Sequence, residues 1–434
     1  MVVHYEEKYG VDMRIRFYNA RILTMKENED IFTGELHTEG NRITYVGHSE
    51  DAPEGDFFRE IDCKGNVLMP GFKNCHTHSG MTAFRSLADD LNLQDWLTNE
   101  IFPREDKMSG EDCYILTKLA ILEYLTSGVT SIQDMYLTPE TIADACAEMG
   151  MRCELVSGLN KFGPTLDVLE RRYNELNGRN PLIGFKMGVH AEYTCDKELL
   201  QNVSKLIHKY EAPLYVHMSE TKTEVDECIG RYGMTPVAFF DSLGLFDFGG
   251  VIYHGVWTTD EDMEIMLKRN IGVVTNPASN LKLASGIAPI DKYLKKGITV
   301  GIGTDGPSSN NALDMFREMY LVTALAKVRE MDPLAVPAPE VLKMATVNGA
   351  KLQEQPDTDI LAKGKLADII MLDMNMPNMQ PILNIPNNIV YSGCKSNVKM
   401  TMIDGVILYE DGRFAGVDVE EIYSEASAVM EKLK

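Results

Sequence analysis

Pro70-Gly71-Phe72-Lys73-Asn74-Cys75-His76-Thr77-His78-Ser79 follows the apolar, β-prone run Asn66-Val67-Leu68-Met69. If the strand continues through this stretch, alternate side chains share a face and His76 and His78 point the same way. Two imidazoles so placed can share one metal ion. A transition metal needs further ligands, and these must arrive from the ends of other strands.

Working outward, β-type runs alternate with helical stretches between residues 70 and 359, the pattern of a parallel sheet with crossover helices. The eight candidate strands are Val67 to Cys75, Val129 to Asp134, Cys153 to Gly158, Ile183 to His190, Leu214 to Met218, Val251 to His254, Gly272 to Thr275 and Thr299 to Thr304. Helical periods lie between several of them, at 112–127, 138–148, 196–210 and 260–267. Eight such strands predict an α/β fold, a (β/α)8 TIM barrel with its site at the strands' C-terminal ends. Short β-like runs at 14–18, 20–24 and 42–46 are matched by 367–372 and 400–409 at the far end. They predict a small β-sandwich-like domain built from residues 1–69 plus 360–434, closed by an amphipathic helix from Glu420 to Lys434.

The chain has 434 residues, 44% of them hydrophobic, enough for a sizeable core. Its 65 acidic and 42 basic side chains leave a net charge of −23, which repels nucleic acid and anionic membranes. The eight cysteines are scattered without a CxxC pair, as expected of reduced thiols in a cytoplasmic protein. The start, Met1 to Glu7, has no signal-peptide pattern, and no apolar run reaches the length of a membrane span. Both features predict a soluble, unprocessed protein whose partner is a small-molecule substrate. Oligomeric state stays open between a monomer, a homodimer and a higher homo-oligomer, two-fold dimers being commonest.

Within the barrel frame, informative polar residues fall at strand ends. His217 closes Pro213-Leu214-Tyr215-Val216-His217 and Glu220 follows three residues later. His254 closes Val251-Ile252-Tyr253-His254, and Asp305 ends the eighth strand ahead of Gly306-Pro307. Singly, such a histidine is ordinarily a hydrogen-bonded rim residue, and such an aspartate a turn or helix cap. Together they say more, because five of the nine histidines (76, 78, 190, 217 and 254) close predicted strands. His4, His37, His48 and His208 fall elsewhere and are given no role.

As a set these residues resemble the amidohydrolase superfamily, and within it the metal-dependent deaminase and chlorohydrolase branch. The likeness is closest to the 5-methylthioadenosine/S-adenosylhomocysteine deaminases. It covers nearly the whole chain, including Asn276-Pro277-Ala278-Ser279-Asn280-Leu281-Lys282-Leu283 and Ala345-Thr346-Val347-Asn348-Gly349-Ala350. The resemblance implies His76, His78, His217 and Asp305 as ligands of one divalent ion, zinc first, with iron and manganese accepted by the same N/O donors. Such an ion lowers the pKa of its water from about 16 toward about 7, making hydroxide available at neutral pH. To displace an amino group from adenine, hydroxide adds to the ring carbon while the neighbouring nitrogen gains a proton, and ammonia leaves. Glu220 suits proton delivery to the ring, Asp305 removal of the water's proton, and His254 orientation of that water.

The resemblance also implies substrate-binding roles for His190 at the fourth strand and for Glu105, which would hold ribose hydroxyls, with Trp96 as a pocket wall. It departs in one place: the family's two arginines after the third strand fall near Ser157 and Thr165 here, while Arg171 and Arg172 come slightly later. The expected activity is therefore hydrolytic deamination of an adenine-type nucleoside, namely adenosine, 5-deoxyadenosine, methylthioadenosine or S-adenosylhomocysteine. Alternatives keep the metal hydroxide and change the ring to a guanine-like, pterin, cytosine or triazine compound, including dechlorination. A two-metal amide hydrolase bridged through Lys186 and a non-catalytic barrel stand further off.

Overall fold

The computed structural model describes residues 13–87, 89–91 and 93–433. The stretch Met1 to Glu7, with His4, lies outside the described residues. Eight parallel strands form the barrel: Phe72–Thr77, Val129–Asp134, Arg152–Val156, a fourth in two pieces (Ile183–Lys186 and Gly188–Ala191), Leu214–Met218, Gly250–His254, Ile271–Thr275 and Val300–Ile302. The ring closes between the last and the first, where Asp305 N–H donates to His76 O at 2.9 Å and Thr304 N–H to Asn74 Oδ1 at 2.9 Å. Nearly every strand residue is buried, as expected when helices cover the outside and side chains fill the inside.

The helices start where local chemistry says they should. Ser109 and Asp112 make a reciprocal capping box at the start of helix Gly110–Thr126. Thr221 and Glu224 do the same for helix Lys222–Tyr232, and Thr259 and Asp262 for helix Asp260–Arg269. The caps at Thr221 and Thr259 fix the loops that lead from strands Leu214–Met218 and Gly250–His254 into their helices, while the Ser109 cap follows helix Phe102–Glu105.

Two strands differ from the sequence expectation. The run Val67 to Cys75 is divided at Gly71: Val67–Pro70 pairs antiparallel with Ile369–Leu372 in a separate sheet, and only Phe72–Thr77 enters the barrel. A Cβ on Gly71 would lie 2.1 Å from Thr130 Cγ2, so the crossing passes where only glycine fits. The fourth strand is broken at Met187, one piece pairing with the third strand and the other with the fifth.

The chain ends make one nine-stranded sheet, ordered Arg413–Phe414, Val406–Glu410, Val398–Ile403, Ile369–Leu372, Val67–Pro70, Arg14–Ile22, Phe32–Glu39 and Arg42–Gly47, with Arg59–Asp62 also on Arg14–Ile22. The runs expected at 14–18 and 20–24 are one strand with an irregularity between Phe17 and Ala20, where Asn19 has φ 53°. The sheet curls so that Phe17 and Leu36 share a core with Ile369, Met400 and Met402. Its seam to the barrel holds a buried ion pair, Arg152 Nε to Asp368 Oδ2 at 2.8 Å, which Asp404 extends at 3.2 Å.

Candidate active site

His76 is the penultimate residue of the first barrel strand, Phe72–Thr77, and His78 follows just beyond it. Their ring centroids are 4.8 Å apart, and His217, from the fifth strand, lies 4.7 Å from His76 and 5.5 Å from His78. Asp305 Oδ1 reaches His78 Nε2 at 3.1 Å and His76 Nε2 at 3.6 Å. Among the described residues two groups have ligand atoms all within 4.8 Å of one another: His76, His78 and Asp305, and His76, His217 and His254. His76 belongs to both.

The neighbours decide which nitrogens face the centre. His78 Nδ1–H donates to Met135 O, and His217 Nδ1–H donates to His190 O at 2.8 Å. Each Nε2 lone pair is thereby left for a cation. His76 has both ring nitrogens buried and without a hydrogen-bond partner. Such a group costs a few kcal/mol unless something ligates it. Burial, and next the charge on His78, hold His76 well below the usual imidazole range; burial and then His76 do the same for His217. Against burial, the hydrogen bond and charge of Asp305 raise His78 above the usual imidazole range, so a cation there would take the place of its Nε2 proton. Three imidazoles and a carboxylate suit a borderline divalent cation, and the residues fit a metal. Tyr253 supports the centre by stacking on His76 at 3.8 Å.

His254 and Glu220 lie across from Asp305. His254 Nδ1–H donates to Asn280 Oδ1 at 2.8 Å, which leaves Nε2 as an acceptor 3.7 Å from Glu220 Oε2. Burial raises the Glu220 carboxyl above its ordinary range, and Ser285 donates to its Oε1 at 3.2 Å. Glu224 accepts from the backbone N–H groups of Ser219 and Glu220, both at 2.8 Å, and so fixes the turn that presents Glu220. Asp305 is pinned by Ser279 through Oδ2 at 2.6 Å and by Gly306 N–H through Oδ1 at 2.7 Å. Ser279 and Asn280, in helix Pro277–Lys282 after the seventh strand, and Ser285, in the loop that follows it, are contributors that a search of strand ends does not find.

One pocket includes His78, His217, Glu220, His254 and Asp305 in its lining, and Glu105, His190 and Trp96 line it too. Every site residue expected from the sequence except buried His76 is thus in contact with one cavity. Burial raises Glu105 to about 7, against a hydrogen bond from Tyr136 that lowers it. Burial likewise brings His190 down to about 4. The Trp96 indole N–H is buried and has no partner. Lys186 is held by Glu354 at 2.7 Å and Glu154 at 3.4 Å, outside the pocket. Of the described histidines given no role, His37 pairs with Glu35 at 3.0 Å, His208 with Asp247 at 3.0 Å, and His48 Nδ1 lies 3.3 Å from Thr33 O.

Comparison with known proteins agrees with this geometry. The model of the amidohydrolase family matches residues 67–408. A 5-methylthioadenosine/S-adenosylhomocysteine deaminase of Thermoanaerobacter pseudethanolicus is 38% identical over 422 residues, covering 94% of this chain and 97% of that protein. A 5'-deoxyadenosine deaminase of Methanothermobacter thermautotrophicus is 39% identical over 407 residues, covering 92% and 95%. Among solved structures, an adenosine deaminase from Xanthomonas campestris with bound zinc superposes with a TM-score of 0.92 at 28% identity, covering 97% of this chain and 98% of that one.

Proposed function

The chain belongs to the amidohydrolase family, and on that footing we propose that it is a metal-dependent hydrolytic deaminase acting on the C–N bond of an adenine-type nucleoside, with release of ammonia. The observation that carries this reading is the meeting, in one pocket, of the histidine and aspartate cluster with Glu220 and His254 at one side and Glu105 and His190 along the wall. Relatives named for adenine nucleosides along nearly the full chain support the substrate class. The catalytic unit is the barrel of residues 70–359.

His76, His78, His217 and Asp305 hold one divalent ion, zinc by preference. When bound, that ion supplies the Lewis acidity that lets a water lose its proton near neutral pH. Asp305 takes that proton at a carboxylate oxygen and returns it to the departing amino group, so that the C–N bond breaks with ammonia as the leaving group. His254, its Nδ1–H committed to Asn280, presents Nε2 as an acceptor that orients the water. Glu220, whose carboxyl burial raises above its ordinary range, passes a proton to the ring nitrogen beside the reacting carbon, so negative charge need not build on the purine. Glu105 accepts from the sugar hydroxyls, and His190 and Trp96 close the wall around the base and ribose. The reaction takes place in the cytoplasm, where the eight unpaired cysteines remain reduced. No helix among the described residues is long and apolar enough to cross a membrane.

The test is incubation of the metal-loaded protein with adenosine, 5'-deoxyadenosine, methylthioadenosine and S-adenosylhomocysteine. Ammonia release with an ultraviolet shift to an inosine-type product is expected from at least one. Silence from all of them sinks the reading. Elemental analysis should find about one metal per chain, and two would revive a binuclear site.

A further inference from the structure

One part of the pocket is lined by His78, His217 and His254, and there the purine must sit for its ring nitrogen to reach Glu220. Further along, part of the lining comes from two elements, the start of helix Pro139–Met149 and the loop and helix after the third strand, Leu166–Leu176. Leu137, Pro139, Gly158, Leu159, Pro164 and Leu169 make this part apolar. Arg172 is the one lysine or arginine in the lining among the described residues. It is committed: its Nε and Nη2 donate to the two carboxylate oxygens of Glu140 at 2.7 and 3.0 Å. Its side chain is 16% exposed against 39% for Glu140, so the cation lies on the pocket side and its partner faces out. Arg171 points elsewhere, 57% exposed and 3.8 Å from Glu175.

Resting on the deaminase reading above, we propose that the Arg172–Glu140 pair is a specificity device: it presents a neutralised, apolar part of the pocket that takes adenine nucleosides with an uncharged 5' substituent and disfavours those ending in a free carboxylate. A carboxylate entering there must either compete with Glu140 for a guanidinium already bound in the two-pronged geometry that carboxylates prefer, or lose its water unpaired. A deoxy or alkylthio group needs neither and gains from the apolar wall. Glu105, Glu220 and Asp305 share the cavity, and the chain's net charge of −23 adds a field of the same sign.

The experiment is the ratio of kcat/KM for S-adenosylhomocysteine to that for methylthioadenosine, which does not depend on the fraction of active protein. Wild type should show methylthioadenosine ahead by about tenfold or more. E140A, which frees Arg172 for an incoming carboxylate, should raise the ratio about tenfold. R172Q leaves Glu140 unneutralised and should lower it. Equal use of both nucleosides by wild type, or an unchanged ratio in E140A, overturns the inference while leaving the deaminase reading intact. If E140A does not fold, R172Q decides, and a ratio equal to wild type overturns it. Ammonia from adenosine alone overturns the inference and leaves the deaminase reading standing, whereas ammonia from none of the four nucleosides removes both.

Discussion

His254 has φ 71°, Asp305 60° and Ser219, beside Glu220, 54°. A left-handed backbone costs a non-glycine residue on the order of 1 kcal/mol or more, and it persists only where the surroundings dictate it. Here strand endings turn sharply to aim side chains into the pocket, and the hydrogen bond from Asp305 N–H to His76 O holds one such turn. E220Q should keep the fold and lose about 10²–10⁴ in kcat, because an amide cannot pass a proton to the ring. Steady-state kinetics beside a far-ultraviolet spectrum checks this, and a loss under tenfold would remove Glu220 from proton delivery. N280A releases His254 Nδ1 and should lower kcat by about tenfold with KM little changed, the cost of one orienting hydrogen bond. A change confined to KM would show that Asn280 serves substrate binding instead. That His76, His78, His190, His217 and His254 gather at one rim was legible, because an apolar barrel strand that ends in a polar residue delivers it to the barrel mouth. Ser285 was not, since its partner Glu220 is 65 residues away and a lone serine in a loop carries no spacing signal.

At the scale of elements, helix Met315–Glu330 contributes a buried carboxylate that ties two active-site loops together. Glu318 accepts from Ala278 N–H at 3.0 Å, at the start of helix Pro277–Lys282, and from Asn310 Nδ2 at 2.8 Å, in helix Pro307–Asn310. Burial raises its pKa from 4.5 to about 8. Between those values the folded protein holds a proton that the unfolded chain releases, so the stabilisation present below the lower value is lost as pH rises through the upper one. The slope is roughly 1.4 kcal/mol per pH unit at most. Gln mimics the protonated form, so E318Q should match wild type near pH 5 and exceed it near pH 8 in denaturant midpoints. Parallel pH profiles for the two proteins would refute it. Helical periods placed helices at 112–127 and 260–267, and the structure starts them at Gly110 and Asp260; helix Lys222–Tyr232 was not among those expected, although Thr221 with Glu224 carries its capping signal. The break at Gly71 was not: an apolar run reads alike whether one sheet or two receive it, and only the approach of Thr130 decides.

In the molecule as a whole, the barrel and the chain-end sheet meet across Arg152 and Asp368, 4% and 1% exposed. Removing one partner strands the other charge, so R152M should destabilise by about 3–5 kcal/mol, whereas replacing both with apolar residues of similar volume should recover much of it. Chemical denaturation of the single and double variants measures this, and a single variant as stable as wild type would show the seam to be held by packing alone. That the two ends of the chain form one unit was legible from matching β-like runs, while the Arg152–Asp368 pair was not, because its members are 216 residues apart. The same sheet has a consequence for synthesis. Val67–Pro70 takes Ile369–Leu372 as its neighbour, about 300 residues later. At roughly 5–20 residues per second, its open edge must wait on the order of 15–60 seconds on the ribosome before its partner emerges. Through that interval an apolar strand is available to any other chain, which makes this protein's yield a matter of translation speed and chaperone supply as much as of final stability.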